Sequence, residues 1–559
     1  MYRQLSFIDV KKAYFYGVPD RSLYIRFPPE LGMPKSMVGK LVRCMYGTRD
    51  AGAIWENCYT KCLVDLGFEQ GVASPCCFWH PKWQVSVVVH GDDFTALGTP
   101  QSLDLYEAGM CKAFECKLKG RLGRRDSDLK EMRVLNRIVR IDDHGLRYEA
   151  DPRHVELLAR SLNLEQCKHV VTPGVKLPYD EESVGADVDG FEDHVLGTPV
   201  NALKSRLRTI KFNDHVDVYN VPSQCDIYGS PPMTFDFDRH RRKVARTPRP
   251  IEGLYDYVAP DVSPNERRAI LERTLRNGAA WEVPTSEIIA KMSKKMKKFT
   301  KARVGTKAAK QHERLECVGD LLDDEASTMF RALAARLLYL SMDRPECAFA
   351  SKELCKQFAT PTRKGVEALK RAVRFLVGMP RLVYKFDYQR PESNMRIFVD
   401  TDFGGCHITR RSTSGGVAMR GSHCIKHWST TQSTVALSSG EAELGGICRG
   451  ASIGLGLQSL ASDLGIALEL EVLTDATAAI GICRRRGLGK IRHLATADLW
   501  VQDRLRRGDF RLTKVPGAEN PADILTKFVS RDVMAKHMAA MGLVSEDGRA
   551  KSAPTIEHK

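Results

Sequence analysis

The stretch VSVVVHGDDFTALG constrains this chain more than any other. Val85, Val87, Val88 and Val89 precede His90-Gly91-Asp92-Asp93, and Phe94, Ala96 and Leu97 follow. Two β-branched, apolar runs around a short segment containing glycine predict a β-hairpin, with Gly91 free to take positive φ. A hairpin tip carries its side chains past the end of a sheet, so Asp92 and Asp93 are expected where solvent and a metal ion can reach them. Asp9 closes another short apolar run, Leu5-Ser6-Phe7-Ile8, and is expected at a strand end as well. Three hard oxygen ligands suit Mg²⁺ or Mn²⁺, and such a set can support in-line displacement at phosphorus.

A second set of acids lies near the C-terminus. Asp400 ends the strand-like run MRIFVD, and Asp475 follows another, LELEVLT. Glu443 falls in a segment where Leu444, Ile447, Ala451, Leu455 and Leu460 recur at helical spacing. The segment reads as a helix, which six glycines between 440 and 456 weaken, each costing roughly 1 kcal/mol relative to alanine. Asp523 is in ENPADILTK, where Asn520 is a good N-cap and Pro521 a good first helical residue.

The blocks carrying Asp9, Asp92 and Asp93 are DVKKAYFYG, LYIRFPPELG, KLVRCMYGTRDAGAIWE, SPCCFWH and VVVHGDDFTALG. In order and spacing they resemble the reverse transcriptase of Ty1/copia-type retrotransposons. The blocks FVDTDFGG, RRSTSGG, WSTTQSTVALSSGEAE, LTDATAAI, IRHL and VPGAENPADILTK resemble the ribonuclease H domain of the same elements. The resemblance implies that Asp9, Asp92 and Asp93 are a polymerase metal triad and that Tyr14 gates the sugar of the incoming nucleotide. It also implies that Asp400, Glu443, Asp475 and Asp523 bind two metals for hydrolysis of RNA in an RNA–DNA hybrid, with His493 aiding product release or proton transfer. Departures from the family pattern stand out. His90 replaces the usual tyrosine before Asp-Asp, Asp50 stands where a nucleotide-contacting glutamine is usual, and the acid that usually follows the histidine is missing. Glu441 and Asp402 are read as supporting or solvated neighbours.

The expected architecture is a multidomain α/β and α+β chain. A polymerase palm (antiparallel sheet with helices) covers 1–115, and a ββα thumb or connection segment covers 116–180. An insert of low order covers 181–314, a helical connection 315–390, a ribonuclease H-like α/β domain 391–530, and a tail 531–559. The two strands of the second segment are expected around Asp142-Asp143-His144-Gly145, with a helix from Pro152. In the connection, Leu333, Leu337, Leu338 and Leu340 are expected inside and Lys370, Arg371 and Arg374 outside. The stretch 291–310 has eight lysines and one arginine, and its Met292, Met296 and Phe299 share a helical face. Nucleic-acid binding, nuclear import and a merely solvated face all remain open for it.

Charge and cysteine content agree with a nucleic-acid enzyme. Lys and Arg number 85 against 69 acids, a net +16, which favours phosphate backbones. Sixteen scattered cysteines, with no signal peptide or long apolar run, point to free thiols in a reducing compartment and to no membrane span. Cys76, Cys77 and His80, and Cys406, His407, His423, Cys424 and His427, lack the paired spacing of a zinc site.

In family terms the partners are an RNA template, a DNA primer, their hybrid and deoxynucleoside triphosphates, with coat protein and integrase from the same element. The location implied is cytoplasmic, in a virus-like particle, with nuclear entry left open. Family members also carry a basic segment upstream of the first acid, whereas this chain starts eight residues before Asp9. The expectation is therefore an N-terminally truncated Pol fragment whose own polymerase activity stays open. The alternatives are an active ribonuclease H beside a non-functional polymerase half, or a decayed or domesticated nucleic-acid-binding protein.

Overall fold

Strand β1 (Gln4–Val10) lies one strand in from an edge of the first sheet. A separate ladder pairs β2 (Tyr24–Arg26) with β3 (Val38–Lys40). Helix α1 (Ala51–Asp65) leads to β4 (Glu69–Gln70), β5 (Cys77–His80), β6 (Val85–His90), β7 (Asp93–Gly98), helix α2 (Pro100–Ala113) and β8 (Cys116–Leu122). The sheet order is β4-β5-β6-β7-β1-β8. A computed structural model describes residues 2–175 and 321–556, apart from 28, 29, 31, 33, 35, 36, 407, 490, 492 and 494–498. The expectations on 181–314, the basic stretch included, lie outside the described residues.

The hairpin forms as expected. His90 pairs with Asp93, and Gly91 takes φ 65°, as the first central residue of a II′ turn does. Val85, Val87 and Val89 are buried with Phe94 and Ala96 against Trp55, Tyr59, Leu103 and Tyr106 of the two helices. The Trp55 indole donates to the Gly91 carbonyl at 2.8 Å, so α1 holds the tip of the hairpin. Residues 116–122, expected to open the next segment, instead form β8 on the far edge of this sheet, with Leu122 opposite Leu5 and Lys117 opposite Asp9. A lysine- and arginine-rich edge strand with one exposed flank lacks clean alternation, so its membership was not legible.

The second segment matches its expectation and adds a strand. β9 (Glu131–Val134), β10 (Arg137–Ile141) and β11 (Gly145–Ala150) are antiparallel, and the Asp142 carboxylate accepts the His144 and Gly145 N–H groups at 2.9 Å each in the turn. Helix α3 (Arg153–Ser161) buries Val155 and Leu158, with Leu162 just after it. Three more helices follow: α4 (Asp324–Leu340), α5 (Ala348–Cys355) and α6 (Arg363–Gly378). Leu333, Leu337 and Leu340 are buried, and Leu338 is half-buried. Lys370, Arg371 and Arg374 are half-buried rather than exposed. Arg371 donates to the Thr172 hydroxyl at 3.1 Å and Arg374 to the Lys168 carbonyl at 2.8 Å, so both tie α6 to the segment after α3.

β12 (Leu382–Asp387) pairs with β11. The last sheet contains β13 (Asn394–Thr401), β14 (Thr413–Arg420) and β15 (His423–Thr431), followed by helix α7 (Ser439–Asp463), β16 (Glu469–Thr474), α8 (Thr477–Arg484), α9 (Trp500–Arg507) and β17 (Arg511–Lys514). Its order is β15-β14-β13-β16-β17, antiparallel through β13 and parallel from β13 to β17. A 3-10 turn, Pro521–Leu525, carries Asp523, and the Asn520 side chain caps it by accepting from the Ala522 N–H at 3.2 Å. Residues 531–559 are not a tail. They contain helix α10 (Arg531–Ala540) and β18 (Leu543–Ser545), and β18 pairs with β12 to give the second sheet the order β18-β12-β11-β10-β9. So short a strand carries too little pattern to be read from sequence. Among the described residues no helix is long and apolar enough to cross a membrane.

The glycines that weaken the helical pattern explain how α7 packs. Gly446, Gly450 and Gly454 lie one turn apart on its buried face. A Cβ on Gly446 would meet Thr401 Cγ2 at 2.5 Å, one on Gly450 would meet Val399 Cγ1 at 2.4 Å, and one on Gly454 would meet Leu470 Cδ1 at 2.6 Å. Only a bare backbone comes this close to β13 and β16. Gly456, by contrast, is exposed, with nothing within 4 Å of such a Cβ. Gly450→Ala is therefore expected to destabilise the protein by about 1–3 kcal/mol through overpacking. Gly456→Ala should stabilise it by about 0.5–1 kcal/mol through helix propensity. Urea unfolding of the two variants checks both signs, and equal effects would refute the packing account.

Candidate active sites

The close approach of α7 to β13 brings Glu443 over Asp400. Asp400 is the penultimate residue of β13 and is buried, and Asp475 follows the end of the parallel neighbour β16. Ligand oxygens of Asp400, Glu443 and Asp475 all lie within 4.8 Å of one another, the one such acid, His or Cys group among the described residues. The Thr526 hydroxyl donates to Asp400 Oδ2. The Asn520 amide donates to the Val399 carbonyl at 2.8 Å, which anchors the 3-10 turn to the strand carrying Asp400.

Crowded carboxylates in a half-dry site resist ionisation. Burial, followed by the Asp400 charge, pushes the Glu443 carboxyl up to about 8. Burial also raises Asp400, to about 6, against the opposing Thr526 hydrogen bond and Lys527 charge. Glu443 Oε2 is buried without a hydrogen-bond partner. An all-oxygen donor set, mutual repulsion and an orphaned carboxylate oxygen fit a hard divalent cation such as Mg²⁺ or Mn²⁺.

Asp523 stands outside that group of three. Its Oδ1 is 3.1 Å from Lys527 Nζ, one turn further on. His493 is exposed, and its Nε2 lies 3.0 Å from Glu441 Oε2. Glu441 also accepts the Leu437 N–H at 2.8 Å, while its own N–H bonds the N-cap Ser438, so it belongs to a capping box that holds the start of α7. Burial works against ionisation of Glu441, but the His493 hydrogen bond and the capping bonds bring its carboxyl net below the usual value. Asp402 accepts the Thr413 N–H at 2.5 Å and braces the loop after β13.

In the first sheet Asp9 is directly opposite Asp93, and the Val10 N–H donates to the Asp92 carbonyl at 2.9 Å, so the three expected acids gather at one end of β1. Lys119, on β8, enters the same space, with its Nζ 2.6 Å from Asp93 Oδ1 and 3.6 Å from Asp9 Oδ1. Burial raises the Asp92 carboxyl, and the charges of Asp93 and Asp9 add to that. Tyr14 lies in the 3-10 turn Ala13–Tyr16 and meets Tyr46 edge-on at 4.6 Å. Burial and the Asp92 charge raise the Tyr46 phenol, so this aromatic pair borders the acids. The Asp50 carboxylate pairs with Arg21 at 2.7 Å at the start of α1. Lys119, Lys527, Thr526 and Tyr46 were missed from sequence. Only Lys527 left a signal there, four residues after Asp523.

The described histidines of the cysteine and histidine groups have other partners. The His80 ring donates from Nε2 to the Leu66 carbonyl (3.2 Å), accepts the Trp83 N–H at Nδ1 (3.0 Å) and stacks on the Trp83 ring. His427 bridges the Tyr384 hydroxyl and the Ser341 carbonyl, and His423 bonds the Asp387 carbonyl. His407 lies outside the described residues.

No family model matches the chain. It is 27% identical over 219 residues to the retrovirus-related Pol polyprotein from transposon RE1 of Arabidopsis thaliana, which covers 39% of this chain and 15% of that protein. Against the truncated transposon Ty1-A Gag-Pol polyprotein of Saccharomyces cerevisiae it is 32% identical over 87 residues, 15% of this chain and 7% of the other. The aligned part is thus a small share of either relative's length. Among solved structures, a foamy viral protease-reverse transcriptase in complex with RNA/DNA hybrid aligns with a TM-score of 0.41 and 9% identity, over 92% of this chain and 44% of that one.

The raised carboxyls set the sign of a pH effect. From an ordinary 4.5 up to about 8 for Glu443, and from 3.8 up to about 6 for Asp400, the folded state holds more protons than the unfolded one. Stability of the metal-free protein contributed by these groups should therefore fall as pH rises through that window. A cation that binds the ionised carboxylates offsets the loss, so Mg²⁺ should raise Tm more at pH 8 than at pH 6. In Glu443→Gln the fall should shrink and the Mg²⁺ increment should disappear. A Tm increment independent of pH, or unchanged in Glu443→Gln, would count against cation binding here.

Proposed function

We propose, for a chain homologous to retrovirus-related Pol polyproteins of the Ty1/copia type, a divalent-cation-dependent hydrolysis of the RNA strand of an RNA–DNA hybrid at Asp400, Glu443 and Asp475. The observation that carries this reading is the convergence of those three carboxylates on the strand order β15-β14-β13-β16-β17. In the reaction a water oxygen bonds to phosphorus while the bond to the leaving ribose oxygen breaks. Bound divalent cations supply the positive charge that favours ionised water and steadies the leaving oxygen. The chain supplies the rest. Thr526 and Asn520 hold Asp400 in place, and the glycine face of α7 sets the depth of Glu443. His493, held at Nε2 by Glu441, is the group placed to carry a proton or to help product leave. Of the four acids expected to bind two metals, Asp400, Glu443 and Asp475 converge, which favours one cation there, while Asp523 pairs with Lys527.

A second reading, RNA-directed DNA polymerisation, rests on Asp9 opposite Asp93 beside the hairpin tip and on Tyr14 and Tyr46 next to them. Under it the chain would take a primed RNA template and deoxynucleoside triphosphates, with Asp9, Asp92 and Asp93 binding Mg²⁺ once Lys119 withdraws. Asp50, paired with Arg21, would contact the nucleotide only after that ion pair opened. Coat protein and integrase of the same element are the proposed partners, and a cytoplasmic particle the proposed location.

Purified full-length chain with Mg²⁺ should cut the RNA of a labelled hybrid and leave the same RNA uncut when single-stranded. Asp400→Asn should lose at least the roughly 10–100-fold that removing a supporting partner of a metal ligand costs. Asp92→Asn should keep hybrid cleavage and lose any primer extension. Unchanged cleavage by Asp400→Asn would overturn the nuclease site, and extension by Asp92→Asn would overturn the polymerase reading.

A further inference from the structure

We infer that Lys527 is a built-in second cation of the nuclease site, holding the Asp523 position so that the free protein takes one divalent ion rather than two. The inference rests on the nuclease reading of Asp400, Glu443 and Asp475 and goes beyond it.

Three observations carry it. The group of converged ligand oxygens includes Asp400, Glu443 and Asp475 and leaves Asp523 out. Asp523 is instead spent on Lys527, whose Nζ is 3.1 Å from its Oδ1. Partial burial works against its charge, but Asp400, then Asp523 and Asp475, favour it, and the residue just before it, Thr526, bonds Asp400. Backbone geometry fixes this arrangement: Asp523 lies within the 3-10 turn Pro521–Leu525 and Lys527 just past its end, Asn520 ties that turn to β13, and the residue after the turn, Thr526, bonds Asp400. A protonated amine cannot ligate a metal, and a divalent ion arriving at Asp523 would meet it at like-charge range. The cluster therefore has one position open to a divalent ion and one filled by its own lysine, which makes Lys527 a positioning and charge-balancing residue.

The test counts Mn²⁺ bound per full-length chain, from the electron paramagnetic resonance signal of free Mn²⁺, in a background of Asp92→Asn and Asp93→Asn that silences the other acid set. One ion is expected in that background and two when Lys527→Met is added, the second binding tighter by about tenfold or more than in the lysine protein. Adding Asp523→Asn to Lys527→Met should return the count to one. Lys527 is about half exposed, so its replacement by Met leaves the fold intact, and an unchanged circular dichroism melt verifies that. Two ions with Lys527 present, or one ion after Lys527→Met, would overturn the inference. The two readings fail separately. If Glu443→Gln does not remove the first ion, it is the nuclease site that is wrong.

Discussion

Everything at the Asp400 cluster depends on the contact between the glycine face of α7 and β13. With side chains at Gly446 and Gly450 the helix would ride further from Thr401 and Val399, and Glu443, one turn earlier, would leave Asp400. The helix loses intrinsic propensity at each glycine and gains a packing distance that no larger residue allows. From that distance follow the convergence with Asp475 and the raised carboxyls of Glu443 and Asp400. A capping box at Ser438 and Glu441 sets where the helix begins, and it places His493 beside the same turn.

Both acid sets contain a lysine, and the contrast between them is informative. Lys119 reaches Asp93 and Asp9 from a neighbouring strand, and all three side chains are about a third exposed. Water screens such a set. Lys527 lies just past the turn that bears Asp523 and pairs with that acid four residues back. It neutralises one acid while Asp400, Glu443 and Asp475 remain crowded together in a drier place. The first arrangement needs a rearrangement before three ligands can share an ion, whereas the second has already assembled its ligands.

Much of this was legible because the signals are local. The hairpin at Gly91, the Asp142–Gly145 turn, α3 and the helices after 324 follow from period, turn chemistry and capping within a few residues. The positions of Asp400, Asp475 and Asp523 at strand ends and a turn start were legible for the same reason. Long-range features were not. β8 is a charged edge strand, β18 is three residues long, and both gain their place by pairing with distant partners. Arg371 and Arg374 read as free basic groups until the segment after α3 packed beneath them. The glycines of α7 carried a misleading local signal, because their value lies in what they touch across the sheet.

The most direct measurement is anomalous diffraction from crystals grown with Mn²⁺. The expected result is a manganese peak within ligand distance of Asp400, Glu443 and Asp475, with ligand distances typical of hard oxygen donors. Manganese bound at Asp9 and Asp93 but absent from the Asp400 cluster would contradict the account.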